Sequence, residues 1–454
     1  MSSQQPVQIC ICGGGNGSHV AVAQSNITRK PDEWQDTVTA NTQASAWAEK
    51  GDFVGKINLK SKDPSQLGKG TKLWIIGGPA HVHETILRQI APYIEANSFV
   101  GTLFAQGGFD WMAKSVLGDR IQKENITVFG FLNIPWICKI KEYGNEVRLL
   151  GAKSKLYCAY VPLGKEARNQ LVELVEDMFE IPVVIVPNFL SLTLTPSNQI
   201  IHPGRIYGVF HQWDGKKVYD KNEIPLFYED MDEKSAETLE QLDIDNQNIK
   251  AAIIKRFPQF NLDNVPPLKD RIIKSYGEQV ADKSSIQSVF RTNKGYSTLQ
   301  IPMKEVEGGV IPNTDARIFW EDIPYGLCIL HDMGEKLGIQ TPAVDKMIYW
   351  HQKFMGKEYL KDGKLNPEFI NETGCPTRYG FKTIEDVIEY CSLSNKSIST
   401  QNEFICQKNQ EQNNNQNFEN VIMNVEKTEQ QVINQMNPIP MVNSINNKSK
   451  SIKV

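Results

Sequence analysis

The sequence is poor in the features that mark several large classes of protein. Its 49 lysine and arginine residues nearly balance 53 aspartates and glutamates, which leaves a net charge of −4. Without a strong excess of one charge, neither nucleic acid nor an anionic membrane surface is favoured as a partner. No stretch approaches the roughly 18 apolar residues that a membrane-spanning helix requires. These absences favour a protein that acts on a small molecule.

Cysteine pairs are also absent, although the chain has eight cysteines. None of them forms a C-x-x-C motif, and several stand in apolar stretches such as "VQICICGGG" and "YGLCILH". This pattern is typical of buried, reduced thiols, so neither a disulfide framework nor a metal site is expected. The first residues, "MSSQQPVQIC", lack the basic and apolar regions of a signal peptide. We therefore expect a cytoplasmic protein.

Apolar stretches alternate with amphipathic ones over the first 199 residues. The predicted strands are "VQICIC", "DTVTANT", "KLWIIGG", "SFVGTLFA", "ITVFGFL", "VRLLGAK" and "PVVIVP". Segments between them, such as "HETILRQIAPYIEA", have helical periodicity. Apolar strands that alternate with helices are typical of βαβ units. The sequence therefore predicts an α/β domain over residues 1–199, with a doubly wound parallel sheet covered on both faces.

The pattern changes near residue 200. Long polar and apolar repeats such as "EKSAETLEQLDIDNQNIKAAIIKRF" predict a second, all-helical domain over residues 200–392. From residue 393 to residue 454 the chain consists mainly of Asn, Gln, Ser and Lys. Such a segment buries too little apolar surface to offset the entropy of ordering. We predict a disordered tail.

A glycine-rich turn follows the first predicted strand, in "ICICGGGNGSHVAVA". Gly13, Gly15 and Ser18 match the G-x-G-x-x-G/A fingerprint, with a serine in the last place. Gly13 permits the tight turn, Gly15 lets the backbone approach a pyrophosphate, and the small Ser18 lets the helix pack against the strand. Asn16 and Gly17 complete the turn at the helix N-terminus, where phosphates are favoured. These five residues are predicted to bind a dinucleotide in a Rossmann domain.

The preference between NAD and NADP stays open at this point. The acidic residue that usually binds the ribose 2′-hydroxyl lies at the end of the second strand. In "DTVTANT" that place offers Thr39 and Asn41, and no arginine follows to hold a 2′-phosphate.

Two later stretches, "SNQIIHPGRIYG" and "NTDARIFWEDIPYGL", contain the residue types that carbonyl reduction needs. The Pro-Gly pair after His202 predicts a break that leaves this histidine at the end of an element. The carboxylate of Asp322 would fix the imidazole tautomer and stabilise its protonated form. His202 can then give a proton to a carbonyl oxygen, while Arg317 can anchor a substrate carboxylate. Taken alone, Arg317 and Asp322 also fit a surface charge cluster before a helix.

A series of stretches in one order resembles the octopine/nopaline (opine) dehydrogenase family over roughly residues 7–392. They are "CGGGNGSH", "GPAHVHETILRQIAPY", "FAQGGFDW", "NIPWICKI", "NFLSLTLTPSNQIIHPGRIYG", "PLFYEDMDEKSAETLEQLD", "FRTNKGYSTLQIPM", "RIFWEDIPYGLCIL" and "TPAVDKMIYWHQKFMGKEYLKDG". The resemblance implies a Rossmann domain, an all-helical domain and an active site between them. It also implies the NAD(P)H-dependent joining of an α-keto acid, typically pyruvate, to an amino acid, which gives a secondary amine dicarboxylate. The expected partners are these small molecules, with the enzyme a monomer or homodimer.

The resemblance also implies roles for individual residues. His202 corresponds to the catalytic histidine of the family, and Asp322 to the aspartate that works with it and helps to hold the amino acid. Arg317 occupies the arginine of the same motif and is expected to bind substrate. Gln106, in "AQGGFDW", falls at a glutamine near the keto-acid site.

One departure from the family pattern concerns the amino-acid substrate. Related enzymes often have Glu-Thr before "LPW", whereas this chain has Leu132-Asn133 before "IPW". Asn133 can still donate a hydrogen bond to a keto-acid carboxylate, but Leu132 cannot attract a cationic amino acid. Arginine and small amino acids are therefore both retained as expected co-substrates.

Two alternatives from other functional classes stay open on the sequence. The first is a hydroxyacid or sugar-phosphate dehydrogenase with a helical second domain, which would reduce a carbonyl without an amine. The second is a non-catalytic dinucleotide sensor that uses the Asn/Gln-rich tail for interactions. Dependence of NAD(P)H oxidation on an amino acid would separate these alternatives.

Overall fold

The structure is a computed structural model that describes residues 7–23, 33–43, 45, 48–162 and 165–392. The predicted disordered tail, residues 393–454, lies outside the described residues. Within the described part, no helix has the length and apolar character needed to cross a bilayer. No disulfide bond joins any of the described cysteines.

The N-terminal half alternates strands with helices. Its strands are β1 (Gln8–Cys12), β2 (Thr37–Asn41), β3 (Phe53–Lys56), β4 (Thr71–Ile76), β5 (Phe99–Thr102), β6 (Thr127–Phe131), β7 (Trp136–Glu142), β8 (Glu146–Ala152), β9 (Leu156–Val161) and β10 (Val183–Ile185). Its helices are α1 (Asn16–Ala23), α2 (Ala80–Ile90), α3 (Phe109–Leu117), α4 (Arg120–Lys123), α5 (Lys165–Phe179) and α6 (Phe189–Thr193).

The main sheet has the strand order β1-β4-β5-β6-β9-β10. Strands β1, β4, β5 and β6 are mutually parallel, whereas β9 is antiparallel to β6. Strands β5 and β6 are buried along their whole length, as expected for a sheet with both faces covered. The predicted Rossmann-like α/β architecture is confirmed, although the sheet is mixed and not wholly parallel.

A second sheet has the order β3-β2-β8-β7 and contains two strands that we expected in the main sheet. These are "DTVTANT", which forms β2, and "VRLLGAK", which forms β8. Buried and exposed residues partly alternate along β8, a pattern typical of a sheet with one face toward solvent. Strand β9, "LYCAYV", was not predicted, because a short apolar run fits a buried helix as well as a strand.

The C-terminal half is mainly helical, as predicted. Its helices are α7 (Asn198–Phe210), α8 (Glu233–Arg256), α9 (Leu268–Tyr276), α10 (Ile286–Arg291), α11 (Cys328–Leu337) and α12 (Pro342–Gln352), and residues 384–392 are also helical. A π-helical segment, Ile318–Leu327, leads directly into α11. Two small hairpins, β11–β12 (Met303–Val306, Gly309–Pro312) and β13–β14 (Leu360–Lys361, Lys364–Leu365), complete the described part. The predicted boundary at residue 199 falls inside α7, and the domain limits stay a prediction.

The Pro-Gly pair after His202 does not end the helix, so the sequence prediction of a break at this point was wrong. Helix α7 continues through Pro203 and Gly204 to Phe210. A proline inside a helix removes one backbone hydrogen bond and costs about 3 kcal/mol. Here the helix is buried on most of its surface, and this burial offsets the local cost.

Close packing between α7 and α8 explains the glycines of α7. A Cβ atom on Gly204 would lie 2.7 Å from Leu239, and one on Gly208 would lie 2.5 Å from the Cα atom of Ser235. The two glycines are one helical turn apart and therefore face α8 together. A continuous apolar core extends from these helices to one face of the main sheet.

Asp110, on α3, gives the stability of this core a distinctive pH dependence. The carboxyl group is buried, and burial raises its pKa from 3.8 to about 7, although the backbone N–H groups of Asp110 and Trp111 partly oppose the shift. Between about pH 4 and pH 7 the unfolded chain has lost a proton that the folded chain keeps. The part of the unfolding free energy that comes from this retained proton is therefore complete below pH 4 and is lost as the pH rises to 7.

We predict that Asp110→Asn, which does not titrate, removes this dependence. The unfolding free energy of the wild type relative to the variant should fall by roughly 1.4 kcal/mol per pH unit, on the order of 4 kcal/mol in total between pH 4 and pH 7. Urea denaturation of both proteins over a pH series measures the difference. A difference that stays constant across this range would contradict the assignment.

Candidate active site

His202 and Asp322 are brought together from two different helical elements. His202 lies on α7, and Asp322 lies in the π-helical segment. The His202 Nδ1 atom is 2.9 Å from Asp322 Oδ2, with the two side chains 18% and 8% exposed. Because an ionised carboxylate only accepts, Nδ1 carries the proton and Nε2 has a lone pair. The imidazole is thus oriented and partly accessible.

Tyr228 contacts the other ring nitrogen of His202. Its hydroxyl oxygen is 3.2 Å from His202 Nε2, and burial raises the pKa of Tyr228 well above its usual value. The phenol therefore stays protonated and donates to Nε2. Its ring stacks on Tyr296 at 4.3 Å between centroids, which fixes its position. No signal in the sequence had distinguished Tyr228 from other tyrosines.

Arg205, also missed by the sequence analysis, holds the loop that contains Tyr228 against α7. Its guanidinium is fully buried and donates to the carbonyl oxygens of Phe227 at 2.7 Å and Asp230 at 3.0 Å. It also donates to the Ser235 hydroxyl at 2.8 Å. The His202 ring meets the edge of Phe227 at 5.4 Å. Loop, helix and imidazole are therefore positioned as a unit.

The π-helical segment is attached to the Rossmann-like domain through Glu321. The Glu321 carboxylate accepts the backbone N–H of Ala80, at the start of α2, at 2.8 Å, where the helix dipole favours negative charge. Arg317 pairs with the other oxygen of Glu321 at 2.6 Å and is half exposed. A proline, Pro324, lies inside this segment, and a π turn accommodates such an interruption. Arg317 thus lies one turn from Asp322 but is paired with Glu321.

Gln106 and Asn133 lie at the carboxyl side of the main sheet, after β5 and β6. Gln106 is buried and donates to the carbonyl oxygens of Leu192 at 3.2 Å and Thr195 at 2.8 Å, while its own Oε1 has no partner among the described residues. The Asn133 Oδ1 atom accepts a hydrogen bond at 3.1 Å from Arg271, on α9. Sequence analysis had not selected Arg271.

The glycine-rich turn has the geometry of a phosphate-binding loop. Gly13 has φ +154°, and a Cβ atom there would lie 2.6 Å from the Gly77 carbonyl oxygen. Ser18 is buried and donates to the same oxygen at 3.0 Å, which holds α1 close to the strand end. Helix α1 begins at Asn16, whose side chain accepts the backbone N–H of Ile140 at 2.9 Å.

His19 fastens this turn from the other side. Its Nδ1 atom is 2.9 Å from the Gly15 carbonyl oxygen, and its Nε2 atom accepts the backbone N–H of Gly144 at 2.9 Å. These partners fix the neutral tautomer with the proton on Nδ1. Burial lowers the pKa of His19, consistent with a structural role. The contacts of His19 within the fold therefore account for the histidine in the motif "GNGSH".

A cavity of about 470 Å³ lies beside the turn, and its lining includes Cys12, Gly13, Val82 and Ile86. A Cβ atom on Gly15 would meet no atom closer than 3.9 Å, so the backbone there is open to a ligand. The size and the mixed lining fit part of a dinucleotide. The residues present therefore suit NAD or NADP at the carboxyl ends of β1 and β4.

A carboxylate lies at the end of β2, where the sequence had offered Thr39 and Asn41 alone. Asp52 is opposite this strand end in the β2–β3 pair, in the loop before β3. Its two oxygens accept from the backbone N–H of Thr42 at 3.0 Å and from the Asn41 amide at 3.4 Å. An acidic group therefore lies beside the end of β2, the strand whose end usually has the ribose-binding acidic residue.

The Rossmann-like domain, the helical domain and the paired histidine and aspartate define an NAD(P)-dependent dehydrogenase. The family model for the α-helical domain of NAD/NADP octopine/nopaline dehydrogenases matches residues 185–355. The chain is 30% identical to the octopine dehydrogenase of Pecten maximus over 84% of its own length and 98% of that enzyme. It is 31% identical to the tauropine dehydrogenase of Arabella iricolor over 84% of its own length and 100% of that enzyme.

Similarity of structure agrees with similarity of sequence. A solved structure of octopine dehydrogenase with NADH and L-arginine matches with a TM-score of 0.75 and 29% identity, covering 84% of this chain and 98% of that one. The chain belongs to the octopine/nopaline dehydrogenase family. It is therefore an oxidoreductase that acts on CH–NH groups with NAD or NADP, which sets aside the hydroxyacid dehydrogenase and sensor alternatives.

Two glycine substitutions are predicted to affect protein stability and cofactor binding differently. The Cβ atom of Gly15→Ala makes only an ordinary contact, 3.9 Å from the Gly77 carbonyl oxygen, so the thermal stability of the variant should stay at the wild-type value. The added methyl group would stand where the backbone approaches the pyrophosphate, and the Kd for NADH should rise at least about tenfold.

Gly13→Ala is the matched contrast, because its Cβ atom would also lie 2.7 Å from the Ser18 hydroxyl. It should destabilise the protein by roughly 1–3 kcal/mol. Thermal unfolding and NADH fluorescence titration measure the two effects. Wild-type NADH affinity in Gly15→Ala would show that this turn does not bind the pyrophosphate.

Proposed function

We propose that the enzyme joins pyruvate, or a similar α-keto acid, to an amino acid and reduces the resulting imine with NAD(P)H. The observation that carries the proposal is the hydrogen bond between His202 Nδ1 and Asp322, which leaves Nε2 as the imidazole atom for proton transfer once substrate replaces the Tyr228 hydroxyl. Solved structures of octopine dehydrogenase with L-arginine and with pyruvate support the two substrate classes. The product is a secondary amine that contains both carboxylates.

His202 moves the protons that the condensation requires. The substrate ammonium group loses a proton before its nitrogen attacks the keto carbon, and the keto oxygen gains protons before it leaves as water. Nε2 of His202 accepts the first proton and returns it to the oxygen. Ammonium and ketone thereby give a protonated imine and one water molecule, with no net change in protons. Bound NAD(P)H supplies the hydride that reduces the imine carbon.

Asp322 and Tyr228 keep His202 ready for this role. The Asp322 carboxylate lies at hydrogen-bond distance from Nδ1 and stabilises the imidazolium that forms when Nε2 accepts a proton. Tyr228 holds the position of Nε2 until substrate arrives, because its protonated hydroxyl is a weak donor that a substrate ammonium group can replace. Both partners lie in a largely buried site, where their interactions are strengthened by the exclusion of water.

Polar side chains around this pair are assigned to the substrates. Gln106 uses its N–H groups on two carbonyl oxygens, so its Oε1 is the atom that accepts from the substrate nitrogen. Asn133 accepts through Oδ1, so its amide N–H groups can donate to the keto-acid carboxylate. Arg317 uses Nε on Glu321, and its remaining N–H groups can bind a carboxylate of the amino acid.

The direct test is the oxidation of NADH or NADPH in the presence of pyruvate and a panel of amino acids. The panel contains arginine, lysine, alanine, glycine, β-alanine and taurine. Oxidation that requires both pyruvate and an amino acid is expected. Oxidation with the keto acid alone would overturn the proposal.

His202→Ala should lower kcat about 10²- to 10⁴-fold, the usual contribution of an acid–base group, and leave the Kd for NADH unchanged. His211→Ala is the matched control, because His211 follows the same helix and its imidazole hydrogen-bonds to the Gly208 carbonyl oxygen and packs beside the ring of Tyr207. Steady-state kinetics and NADH titration give both quantities. Wild-type turnover in His202→Ala would remove this residue from the mechanism.

We further propose that NADH is preferred over NADPH. The observation in favour is the Asp52 carboxylate at the end of β2, which would repel a 2′-phosphate and can accept a ribose hydroxyl. Asp52→Asn keeps the acceptor for Thr42 and removes the charge. The ratio of kcat/KM for NADPH to that for NADH should rise at least about tenfold in this variant, or ~1.4 kcal/mol.

Asp36→Asn is the control for that change. Asp36 lies just before the same strand and forms a surface ion pair with Lys60 at 2.7 Å. Its substitution should leave the cofactor ratio unchanged. An equal ratio in the wild type and in Asp52→Asn would contradict the assignment of Asp52.

The setting of the enzyme is also part of the proposal. We place it in the cytoplasm, a reducing compartment, because no disulfide bond joins the described cysteines. Both a monomer and a homodimer are compatible with a site whose residues all come from one chain. No nucleic acid is proposed as a partner, since the net charge is only −4.

A further inference from the structure

Arg271 is a cation without a counter-ion in the part of the chain that the structure describes. Its Nη2 atom donates to the neutral oxygens of Asn133 at 3.1 Å and Ser197 at 3.3 Å. Its Nε atom is buried and has no hydrogen-bond partner, and no described carboxylate forms an ion pair with this guanidinium. The side chain as a whole is only partly buried.

An unsatisfied guanidinium N–H group in a buried position is costly, because it has lost its hydration without gaining an acceptor. A planar guanidinium with an open edge is also the group that best matches a carboxylate. Lys153 adds a second positive charge on this side of α9. Its ammonium group lies 5.4 Å from the centre of the ring of Tyr276, which is on the same helix as Arg271. This arrangement favours an anionic ligand.

The position of Arg271 connects it to the proposed site. Asn133 follows the carboxyl end of β6, and Ser197 immediately precedes α7, the helix of His202. The guanidinium is also close enough to Tyr228 and Tyr296 to lower the pKa of each, against the larger effect of burial. Tyr228 is the residue that contacts His202 Nε2. Arg271 therefore lies next to Asn133 and within electrostatic reach of Tyr228.

We propose that Arg271 binds the carboxylate of the α-keto acid, together with the amide of Asn133. This inference rests on the proposed function and adds the residue that selects a keto acid over a neutral ketone. Arg317 is the less suitable anchor for this carboxylate, because Glu321 already neutralises it at 2.6 Å. The two arginines thus divide the two substrate carboxylates, Arg271 for the keto acid and Arg317 for the amino acid.

The test compares pyruvate with pyruvamide, which has the same shape but no charge. In Arg271→Met, the KM for pyruvate should rise about 10- to 100-fold, as expected for the loss of a charged hydrogen bond. The preference for pyruvate over pyruvamide should fall by the same factor. The KM for the amino acid and the Kd for NADH should stay within about threefold. Arg271→Lys, which keeps the charge without the planar fork, should retain part of the preference.

Two matched variants sharpen this comparison. Lys153→Met removes a neighbouring positive charge and should change the preference by less than about threefold. Arg317→Met should raise the KM for the amino acid and not that for pyruvate. Equal losses for pyruvate and pyruvamide in Arg271→Met would mean a structural role and overturn the inference. The inference would also be overturned if the KM for pyruvate rose in Arg317→Met and did not rise in Arg271→Met.

Calorimetry tests the role of Arg271 independently of the proposed function. Pyruvate is titrated into the complex of enzyme and NADH, with wild type and both Arg271 variants. If the wild type binds pyruvate more tightly than Arg271→Met does, but no amino acid supports turnover, the proposed function fails and the role of Arg271 stands. Equal pyruvate affinity in the wild type and in both variants would overturn the role of Arg271 even if turnover requires an amino acid.

Discussion

The active site depends on one hydrogen bond, between His202 Nδ1 and Asp322, which joins residues 120 positions apart in the sequence. Each partner is held by contacts of its own. Helix α7 is pressed against α8 through two glycines, and the π-helical segment is attached to the start of α2 through Glu321. The site therefore requires both domains to be folded and packed. An imidazole fixed at one nitrogen presents the other to substrate, which is the geometry that proton transfer needs.

Prolines stand beside both members of this pair, and the structure shows why a local rule fails there. Pro203 follows His202 directly, and Pro324 is two residues after Asp322. Each proline lies inside a helical segment and not at its end. A missing N–H group leaves one carbonyl without its intrahelical partner, and tertiary packing tolerates the defect where the helix is buried. Irregular helical turns of this kind recur at functional sites.

Local signals were sufficient for much of the fold. The glycine turn could be predicted, because Gly13 and Ser18 interact with a strand end that any βαβ unit places beside them. The helical second half was visible as periodicity over long segments. The second sheet was not, because pairing of β2 with β8 joins segments about one hundred residues apart, and no property of either strand specifies its partner. Strand β9 was missed because its short apolar run fits a buried helix as well as a strand.

The site was predictable only in part, and physical reasons separate its residues. His202, Asp322 and Arg317 stand in stretches whose order resembles a known family. Tyr228 and Arg271 matter because of what surrounds them, and those neighbours come from several elements. The buried Arg205 likewise reveals its role only through the loop carbonyls that it binds. A side chain whose function is set by distant partners leaves no pattern in its own segment.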